Sequence, residues 1–498
     1  METDVVVVGF GYAGGMTAIA AHDAGARVLI LEKMPDPGGI SVCSAGGLRV
    51  ARDAEQAFRY LQATNAGTTP DDVLRRLAQG MTELPDLARE LAAVNGAVVG
   101  VRDSPGNYPL PGNDTFGFVY IDDLPGFDAS KAFPHVKGSP QGARLFKVVL
   151  DNVAKRGIPV RTSAPARRLV QDSDGAVIGL IVEIDGKEIA VRARCAVVLA
   201  CGGFEGDGEL QRQFWQAKPV LSAAYRGNTG DGIRMAQAAG AQLWHMWHYH
   251  GSYGFKHPDP AYPFAIRMKR LPDWQPGQGL RGDVRMAWIM VDRTGRRFVN
   301  EYEPYMQDTG ARAMDRFDPA TQSYPAIPAT LIVDEEGRKL YPLGAPTYNE
   351  RGLSLGWSRD NQAEVQSGLL GQANSLDELA EQCGLPAAAV TATVDRWNRM
   401  CAAGVDDSFG RPPTSMVPIA TPPFYFGRLW PVVSNTQGGP VHDSEQRVID
   451  AFGRPIPRLF AAGELGSVFG HLYMSGGNLA ECFVGGRTAG RNAAALGK

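Results

Sequence analysis

The sequence predicts an α/β protein with a Rossmann-like core, in which a parallel sheet is joined by a small antiparallel sheet and interrupted by an inserted α+β domain. The first observation is a buried strand at residues 4–8 that leads into a glycine turn at 9–14, a helix at 16–23 and a second strand at 28–31. The other observations are an apolar strand in the middle of the chain and a further strand with glycine turns near its end. Strand, turn, helix and strand in this order predict a dinucleotide-binding site.

The glycines of the first turn have separate predicted roles. Gly9 allows the tight turn, Gly11 lets backbone N–H groups approach a pyrophosphate, and Gly14 lets helix and strand pack closely. Glu32, 18 residues beyond Gly14, is placed to accept hydrogen bonds from both ribose hydroxyls of an adenosine. We therefore expect the chain to bind FAD or NAD(P).

The composition excludes several classes of partner. The 498 residues suffice for two or three domains, and 50 basic against 53 acidic residues give a net charge of −3. Such a balance does not gather nucleic acid or anionic lipid. The first apolar run is too short and too close to acidic residues for a signal peptide, and no run approaches the about 18 apolar residues of a membrane span. We expect a cytoplasmic protein with a small-molecule ligand and no membrane span.

The cysteines and histidines do not predict a metal site. No CxxC pair and no nearby histidine at ligand spacing is present, so we expect reduced thiols at Cys43, Cys195, Cys201, Cys383, Cys401 and Cys482. The histidines of residues 244–250 do not share one face of a helix or strand, so an aromatic wall of a substrate pocket is the better functional hypothesis there. Tyr108, Phe116 and Tyr120 are further wall candidates, against the alternative that they pack in the core.

The middle of the chain begins with a predicted hairpin. Strands at 177–184 and 188–191 flank a turn at 185–186, and the apolar strand at 196–200 follows. This arrangement is typical of the sheet beside a flavin-type Rossmann core.

Beyond residue 250 the chain becomes rich in aromatic residues and proline, and helical patterns follow at 376–382 and 387–400. The interruption predicts an inserted domain. We expect a cofactor domain built from residues 1–250 and 434–498, and a substrate or cap domain at 251–433.

The end of the chain favours FAD over NAD. Residues 460–464 read as a buried strand that brings Gly463 and Glu464 to a ribityl chain. The helix that opens after residues 475–477 would direct its N-terminal dipole at the N1/O2 edge of an isoalloxazine ring, where charge accumulates on reduction. A nicotinamide enzyme usually keeps its dinucleotide site in one continuous unit, whereas here the two ends share it.

Eight blocks in order make the chain resemble the fumarate reductase and 3-ketosteroid dehydrogenase group of FAD flavoproteins. They are GFGYAGG (9–15), EKMPDPGGISVCSAGG (32–47), CGGF (201–204), NTGDGI (228–233), GRRFVNE (295–301), TQGG (436–439), FAAGE (460–464) and SGGN (475–478). The resemblance implies an FAD-binding domain with an inserted cap, and it extends the expected cofactor-binding set to Gly9, Gly11, Gly14, Glu32, Lys33, Gly39, Ser41, Ala45, Gly46, Gly202, Asp231, Gly463, Glu464, Asn478 and Leu479.

Departures from the group's pattern concern the substrate and the flavin linkage. Fumarate reductases of the group hold a dicarboxylate with arginines and histidines, but those positions here are Tyr305, Met474 and Asn435. The resemblance therefore disfavours a dianionic substrate. Ile40 stands where members with covalent flavin have a histidine, so non-covalent FAD is expected.

Neutral hydroxyl groups replace the charged ones. Tyr305, Tyr473 and Ser475 look like the Tyr, Tyr and Ser set of 3-ketosteroid Δ4-(5α)-dehydrogenases. Desaturation beside a ketone needs a base for the α proton, a hydride acceptor at flavin N5, and donors for the developing oxyanion. Tyr473 with the backbone N–H of Gly476 or Gly477 is the candidate oxyanion hole, and Tyr305 with Ser475 is the candidate proton relay.

The sequence thus predicts an FAD-dependent dehydrogenase that converts a saturated cyclic ketone, with a 3-ketosteroid as the leading substrate, to the α,β-unsaturated ketone. A smaller ring such as 4-oxocyclohexanecarboxylate is an alternative, since Arg267, Arg281 or Arg285 would meet its carboxylate. An ene reductase running in the opposite direction and a non-catalytic flavin-binding protein are further alternatives. The electron acceptor, whether a quinone, oxygen or another compound, and the oligomeric state stay open.

Overall fold

The computed structural model describes residues 1–268, 285–302, 310–348 and 355–497. Its strands are β1 Glu2–Val8, β2 Val28–Leu31, β3 Leu48–Ala51, β4 Val98–Asp103, β5 Phe116–Asp123, β6 Val160–Arg161, β7 Ala166–Gln171, β8 Val177–Ile184, β9 Lys187–Leu199, β10 Leu221–Ser222, β11 Leu243–Trp244, β12 Tyr249–Lys256, β13 Ala265–Met268, β14 Trp288–Val291, β15 Ala329–Val333, β16 Gly344–Ala345, β17 Gly371–Ala373, β18 Phe424–Thr436, β19 Gly439–Pro440, β20 Arg447–Ile449 and β21 Pro455–Ala461.

The α-helices within these ranges are α1 Tyr12–Asp23, α2 Ala54–Asn65, α3 Asp71–Ala92, α4 Ala129–Ala132, α5 Gln141–Lys155, α6 Gly208–Phe214, α7 Asp231–Ala238, α8 Glu335–Leu340, α9 Gln362–Gln366, α10 Leu376–Cys383, α11 Ala387–Ala403 and α12 Gly477–Ala495. None of the helices in the described parts of the chain is long and apolar enough to cross a membrane.

The chain divides into two compact units. The first consists of Met1–Phe214, Tyr225–Tyr249 and Asn435–Lys498, and the second of Trp215–Ala224 and His250–Ser434. The second unit thus includes a short segment that precedes residue 250. The functional division into a cofactor domain and a cap domain stays a prediction.

The main sheet of the first unit has the strand order β20-β21-β9-β1-β2-β6, and β8 and β7 continue outward from β9. Strand β1 pairs in parallel with β2 and β9, and β21 pairs in parallel with β9. The hairpin strands are antiparallel. A buried parallel core with an antiparallel extension is the predicted α/β fold class, which is confirmed.

Strand β9 differs from its prediction as two strands. Lys187–Leu199 is continuous, so the segments expected at 188–191 and 196–200 are one strand. Its first half alternates between exposed and buried residues because one face is solvated, whereas its second half is buried on both faces between β1 and β21. This change of burial pattern within one strand caused the incorrect division.

Helix α1 begins at Tyr12, earlier than the predicted start at residue 16, because the glycines after the turn are helical. It packs closely against α12 through small residues. A Cβ atom on Gly486 would lie 2.6 Å from the Ala13 carbonyl oxygen, and one on Gly490 would overlap the Thr17 carbonyl oxygen. The first and last helices of the unit thus share one tight interface.

A separate three-stranded sheet of the first unit has the order β3-β5-β4. Arg49 of β3 stands opposite Phe118 of β5 in the antiparallel register. Phe116 at the start of β5 is fully buried and packs edge-on against Tyr60, with ring centroids 5.0 Å apart. Phe116 is therefore a core residue, which corrects its consideration as a pocket wall.

The second unit contains a mixed sheet with the order β14-β15-β18-β12-β13-β16, and the short strands β10 and β17 also pair with β18. Helices α10 and α11 pack on it around the fully buried Trp397. The predicted helices at 376–382 and 387–400 are confirmed, with ends at Cys383 and Ala403.

Candidate functional site

A cavity that is partly open to solvent lies in the first unit where β1, β2 and β9 end. The glycine turn forms one side and residues from the end of the chain form another. Many of the predicted cofactor residues line it: Gly9, Gly11, Glu32, Lys33, Gly39, Ser41, Gly202, Asp231 and Glu464. Its position at the carboxyl ends of parallel strands, with the glycine turn in its wall, is typical of a dinucleotide site.

The backbone of the glycine turn leaves no room for side chains. Gly9 has φ +98°, and a Cβ atom there would lie 2.5 Å from the Ala200 carbonyl oxygen. A Cβ on Gly14 would overlap the Gly9 carbonyl oxygen. At Gly11 a Cβ would lie 2.8 Å from Ser41 Oγ, which accepts the Tyr12 N–H at 3.0 Å. These glycines are therefore packed too closely for a Cβ atom. Residues 9–13 line the cavity at the N-terminus of α1, where a pyrophosphate would bind.

Glu32 is buried and fixed by the turn itself. Its Oε2 accepts the Phe10 N–H at 2.8 Å and its Oε1 accepts the Met34 N–H at 2.8 Å. Burial raises the pKa of this carboxyl, and the two N–H groups oppose that rise. An ionised carboxylate has about four acceptor positions, so capacity for ribose hydroxyls is left on both oxygens.

Lys33 and Asp231 meet at another part of the cavity wall. Lys33 Nζ donates to Asp231 Oδ2 at 2.7 Å and to Thr229 Oγ1 at 2.8 Å. This contact joins the EKMPDPGG block to the NTGDGI block, which are far apart in the sequence.

Three buried glutamates, here named the carboxyl cluster, lie at and behind the cavity wall: Glu205, Glu464 and Glu481. A Cβ on Gly203 would lie 2.8 Å from Glu464 Oε1 and 3.2 Å from Glu205 Oε2, so these two carboxyls approach one another beside that glycine. Neutral groups contact the cluster. Asn228 Nδ2 donates to Glu205 Oε1 at 2.7 Å, and the Thr436 N–H donates to Glu464 Oε1 at 2.9 Å.

Burial dominates the protonation of the carboxyl cluster. It raises the pKa of Glu464 to about 8 and that of Glu481 to about 7, and it raises the pKa of Glu205 well above its usual range. The charge of Glu481 further raises the pKa of Glu464. The cluster therefore holds protons at neutral pH.

Asn478 belongs to the support of this cluster rather than to the cavity lining. Its Nδ2 donates to Glu481 Oε2 at 3.0 Å and to Gln437 Oε1 at 3.0 Å, and its Oδ1 accepts from Asn435 Nδ2 at 2.9 Å. Glu481 also accepts from Ser467 Oγ at 2.8 Å. The Asn435 amide is thus part of the hydrogen-bond network that supports the carboxyl cluster.

The other predicted cofactor residues also lie off the cavity lining. Gly14 and Gly463 serve close packing around α1, since a Cβ on Gly463 would lie 2.7 Å from Ala13 Cβ. Gly46 has φ +67° and packs against Gln141. Ala45 is exposed and Leu479 is half-buried. Some cavity-lining residues had no predicted role at the cofactor: Phe10, Tyr12, Cys201 and Asn228, which lie within the recognised blocks, and Tyr225 and Cys482, which lie outside them.

The turn before α12 holds the predicted catalytic residues of the first unit. Tyr473 is 4% exposed and packs edge-on against Phe469, with ring centroids 5.4 Å apart. Gly476 is the N-cap of α12 with φ +75°. The Gly477 N–H donates to the Met474 carbonyl at 2.7 Å, which corrects its candidacy as an oxyanion donor. The Gly476 N–H has no hydrogen-bond partner among the described residues.

The remaining substrate candidates are distributed over both units. Tyr305 and Arg281 lie outside the described residues. In the second unit Arg267 Nη2 donates to Ser434 Oγ, and Arg285 is exposed. In the first unit Tyr108 is buried, and its N–H donates to Tyr60 Oη at 3.0 Å.

Histidines of the 244–250 segment lie against backbone carbonyl oxygens. His245 Nδ1 lies 2.7 Å from the Ser467 carbonyl oxygen, and His248 Nδ1 lies 2.6 Å from that of Phe469. Trp244 stacks on His245 at 4.6 Å, and Trp247 is 48% exposed. Across the described ranges no group of His, Cys, Asp and Glu side chains is arranged to hold a metal ion. The six cysteines are free.

The GRRFVNE block contributes to a second buried polar group, here named the ion-pair cluster: Arg297, Glu301, Asp406 and Arg411 of the second unit. Arg297 donates to Glu301 Oε1 and Oε2 at 2.9 and 2.7 Å, and to Asp406 Oδ2 at 3.0 Å. Arg411 Nη1 lies 3.4 Å from Glu301 Oε2. Both guanidinium groups lie over the Trp397 ring, at 4.6 and 4.7 Å from its centroid.

Comparisons with known proteins identify the family of the chain. The family model described as FAD binding domain matches residues 4–479. A digoxin reductase of Eggerthella lenta is 29% identical over 99% of this chain and 87% of its own length. A 3-oxosteroid 1-dehydrogenase of Mycolicibacterium smegmatis is 28% identical over 99% of this chain and 97% of its own length.

Among solved structures, a 3-ketosteroid Δ1-dehydrogenase of Sterolibacterium denitrificans matches with a TM-score of 0.80 at 24% identity, over 99% of each chain. The predicted resemblance to the fumarate reductase and 3-ketosteroid dehydrogenase group is thereby confirmed, as is FAD as the cofactor. The chain belongs to the FAD binding domain family and is an FAD-dependent oxidoreductase.

Proposed function

We propose that this oxidoreductase desaturates a saturated cyclic ketone, with a 3-ketosteroid as the leading substrate, to the α,β-unsaturated ketone. The observation that carries the proposal is the turn from Tyr473 to Gly476. There a buried phenol precedes a helix N-terminus whose Gly476 N–H has no partner among the described residues. A 3-oxosteroid 1-dehydrogenase of 28% identity and matching length supports the same substrate class.

The turn provides neutral donors where a carbonyl oxygen becomes negatively charged. The Tyr473 hydroxyl and the Gly476 N–H would donate to that oxygen, and the N-terminal dipole of α12 adds to the stabilisation. The α proton would pass to the relay of Tyr305 and Ser475. FAD, when bound, supplies the acceptor for the β hydride. Met474 and Asn435 supply no charge for a dicarboxylate, so a neutral ketone fits these positions better than fumarate.

The cavity wall supports non-covalent FAD. Ile40 lines the cavity and carries an aliphatic side chain that forms no bond to a flavin. We expect a yellow protein that releases its flavin into the supernatant on acid precipitation. Flavin fluorescence retained in the washed pellet would contradict this expectation.

The central experiment is anaerobic stopped-flow reduction of the bound flavin by saturated 3-ketosteroids and by smaller ring ketones. Tyr473→Phe should slow reduction by about 10²–10³-fold, the usual effect of losing one oxyanion donor. Tyr324→Phe is the matched control, because it removes a hydroxyl that is bonded only weakly to Gln216 at 3.4 Å. Equal rates in wild type and Tyr473→Phe would remove Tyr473 from the mechanism.

The substrate panel separates the alternatives. Reduction by 4-oxocyclohexanecarboxylate but not by steroids would favour the smaller ring, and no reduction by any ketone would favour the non-catalytic alternative. An ene reductase is the second candidate, supported by the digoxin reductase among the relatives. It predicts that an enone reoxidises the reduced flavin faster than a saturated ketone reduces the oxidised form. Fumarate should not reoxidise it faster than buffer does.

A further inference from the structure

We propose that Arg49 is a positioning residue that fixes the Ser475–Gly476 backbone and places a permanent positive charge beside the N-terminus of α12. The inference rests on the proposed function for its catalytic meaning, because the same turn is the proposed oxyanion site. It concerns a strand residue that belongs to no recognised block and that does not line the cavity.

Arg49 ties two distant segments of the first unit together. It is 1% exposed, and its Nε donates to the Ser475 carbonyl at 2.7 Å while its Nη1 donates to the Ser104 carbonyl at 2.9 Å. Its own N–H donates to the Gly476 carbonyl at 3.3 Å. One residue thus contacts two consecutive carbonyls of the turn before α12.

An N–H group of the turn is also bonded to a buried side chain. Asn107, 3% exposed, accepts the Ser475 N–H on its Oδ1 at 2.8 Å. Both backbone groups of Ser475 are therefore occupied by buried side-chain partners. Gly476 is confined too, since a Cβ there would lie 2.5 Å from the Gly47 carbonyl oxygen. The adjacent Gly476 N–H then has a fixed position, and no group of the described residues accepts it.

The chemistry of arginine explains why this residue type is used. Its guanidinium is always charged and offers planar donors in a fixed fork, so it can satisfy carbonyls from two segments at once. The guanidinium also lies 3.8 Å from the centroid of the Phe118 ring, which stabilises a cation within an apolar site. Burying a charge is costly, so its retention beside the turn points to a role that a neutral side chain would not fill.

The charge has a consequence for the flavin. A fixed cation next to the positive end of α12 favours negative charge at the site that the helix faces. In the proposed orientation that charge is carried by the reduced flavin or by the ketone oxygen. Arg49 should therefore raise the midpoint potential of bound FAD as well as hold the donor in place.

The experiment uses the FAD-bound full chain and two substitutions that separate charge from shape. Arg49→Met removes the charge and the fork, whereas Arg49→Lys retains the charge and loses the fork. The measurements are the flavin midpoint potential, by dye-coupled titration, and amide hydrogen exchange of residues 475–477. The matched control is Arg102→Met on strand β4 of the same sheet. The Arg102 guanidinium lies 5.2 Å from the Tyr120 ring centroid, but its side chain is 56% exposed.

We expect Arg49→Met to lower the midpoint potential and to speed amide exchange at 475–477 by about tenfold or more, the scale for losing a hydrogen bond to a charged group. Arg49→Lys should restore the potential but not the exchange protection, and Arg102→Met should change neither. A folded Arg49→Met protein with wild-type potential and exchange would overturn the proposal. If Arg49→Met does not fold, the exchange in Arg49→Lys decides, because unchanged exchange there also overturns it.

Neither measurement needs a ketone. A panel in which no ketone reduces the flavin would refute the proposed function and leave this result standing. Conversely, rapid ketone oxidation with an unchanged potential and unchanged exchange in the variants would refute the role of Arg49 alone.

Discussion

The two units each bury a polar cluster, but they balance its charge in opposite ways. In the ion-pair cluster two arginines meet two carboxylates, and the side chains of Glu301, Asp406 and Arg411 are fully buried. In the carboxyl cluster three glutamates are buried among amides, hydroxyls and backbone N–H groups. The first cluster is neutral through pairing, and the second is brought toward neutrality by protons.

This difference separates a cluster that stabilises the fold from a cluster whose protonation changes near neutral pH. At Asp406 burial acts to raise the pKa, but the hydrogen bond and charge of Arg297 hold that pKa below its usual range. At Glu464 and Glu481 burial wins, and their pKa values rise to about 8 and about 7. Paired charges fix a fold over a wide pH range, whereas shared protons beside a cofactor cavity respond to pH near neutrality.

The largest expected effect comes from breaking the ion-pair cluster. Glu301→Gln keeps the side-chain shape but leaves Arg297 and Arg411 with less compensating charge, so it should reduce stability by about 3–5 kcal/mol. Chemical denaturation followed by circular dichroism measures the loss. The control is Asp407→Asn, which breaks an exposed pair with Arg396 and should leave the free energy of unfolding nearly unchanged, because solvent screens exposed pairs. Similar losses in both variants would mean that burial does not strengthen the pairing.

An intermediate effect is expected from the pH dependence of the carboxyl cluster. The folded-state pKa values of Glu464 and Glu481 lie above 4.5. The stability that these two groups contribute is therefore fully present below about pH 4.5 and is lost as pH rises through about 7 to 8. The melting temperature of the FAD-bound protein should fall by at least about 2 °C between pH 6 and pH 9. The double variant Glu464→Gln, Glu481→Gln should have a flatter profile.

The control for this profile is Glu83→Gln, at an exposed carboxyl paired with Arg487 at 2.7 Å, which should keep the wild-type slope. The ion-pair cluster predicts the opposite dependence, because the pKa of Asp406 is lowered and its contribution disappears only in acid. A profile of the double variant that is as steep as that of wild type would show that the cluster does not titrate in this range.

The smallest effect is expected for Glu205→Gln at pH 6. Glutamine retains an oxygen for Asn228 and resembles the protonated acid, so stability should change by less than about 1 kcal/mol and FAD content should stay constant. Thermal unfolding and the flavin-to-protein absorbance ratio measure both. A loss comparable with that of Glu301→Gln would indicate that Glu205 acts as a paired anion, and the contrast between the two clusters would fail.

Short sequence patterns predicted the cofactor site. Features that depend on contacts between distant segments could not be predicted in the same way. The turn at Gly9 to Gly14, Glu32 and the start of α12 near residue 477 follow from short sequence patterns. The carboxyl cluster does not, because only pairing of distant segments brings Glu205, Glu464 and Glu481 together. The available signal for this cluster in the sequence was Glu481, a charged residue between Ala480 and Cys482 in a helix rich in small residues. The Gly477 N–H was misassigned because turn geometry, which the sequence does not specify, directs it to Met474.

The parallel pairing of β21 with β9 determines when, during synthesis of the chain, the cofactor cavity can be completed. Leu459, Phe460 and Ala461 stand beside Val197, Val198 and Leu199, and the cavity wall is completed by Glu464 and Cys482. During synthesis the glycine turn emerges early, but the ribosome must deliver nearly all of the remaining chain before its partners exist. Cofactor capture is therefore a late event of biogenesis, and polypeptides interrupted ahead of β21 would lack the wall that encloses it.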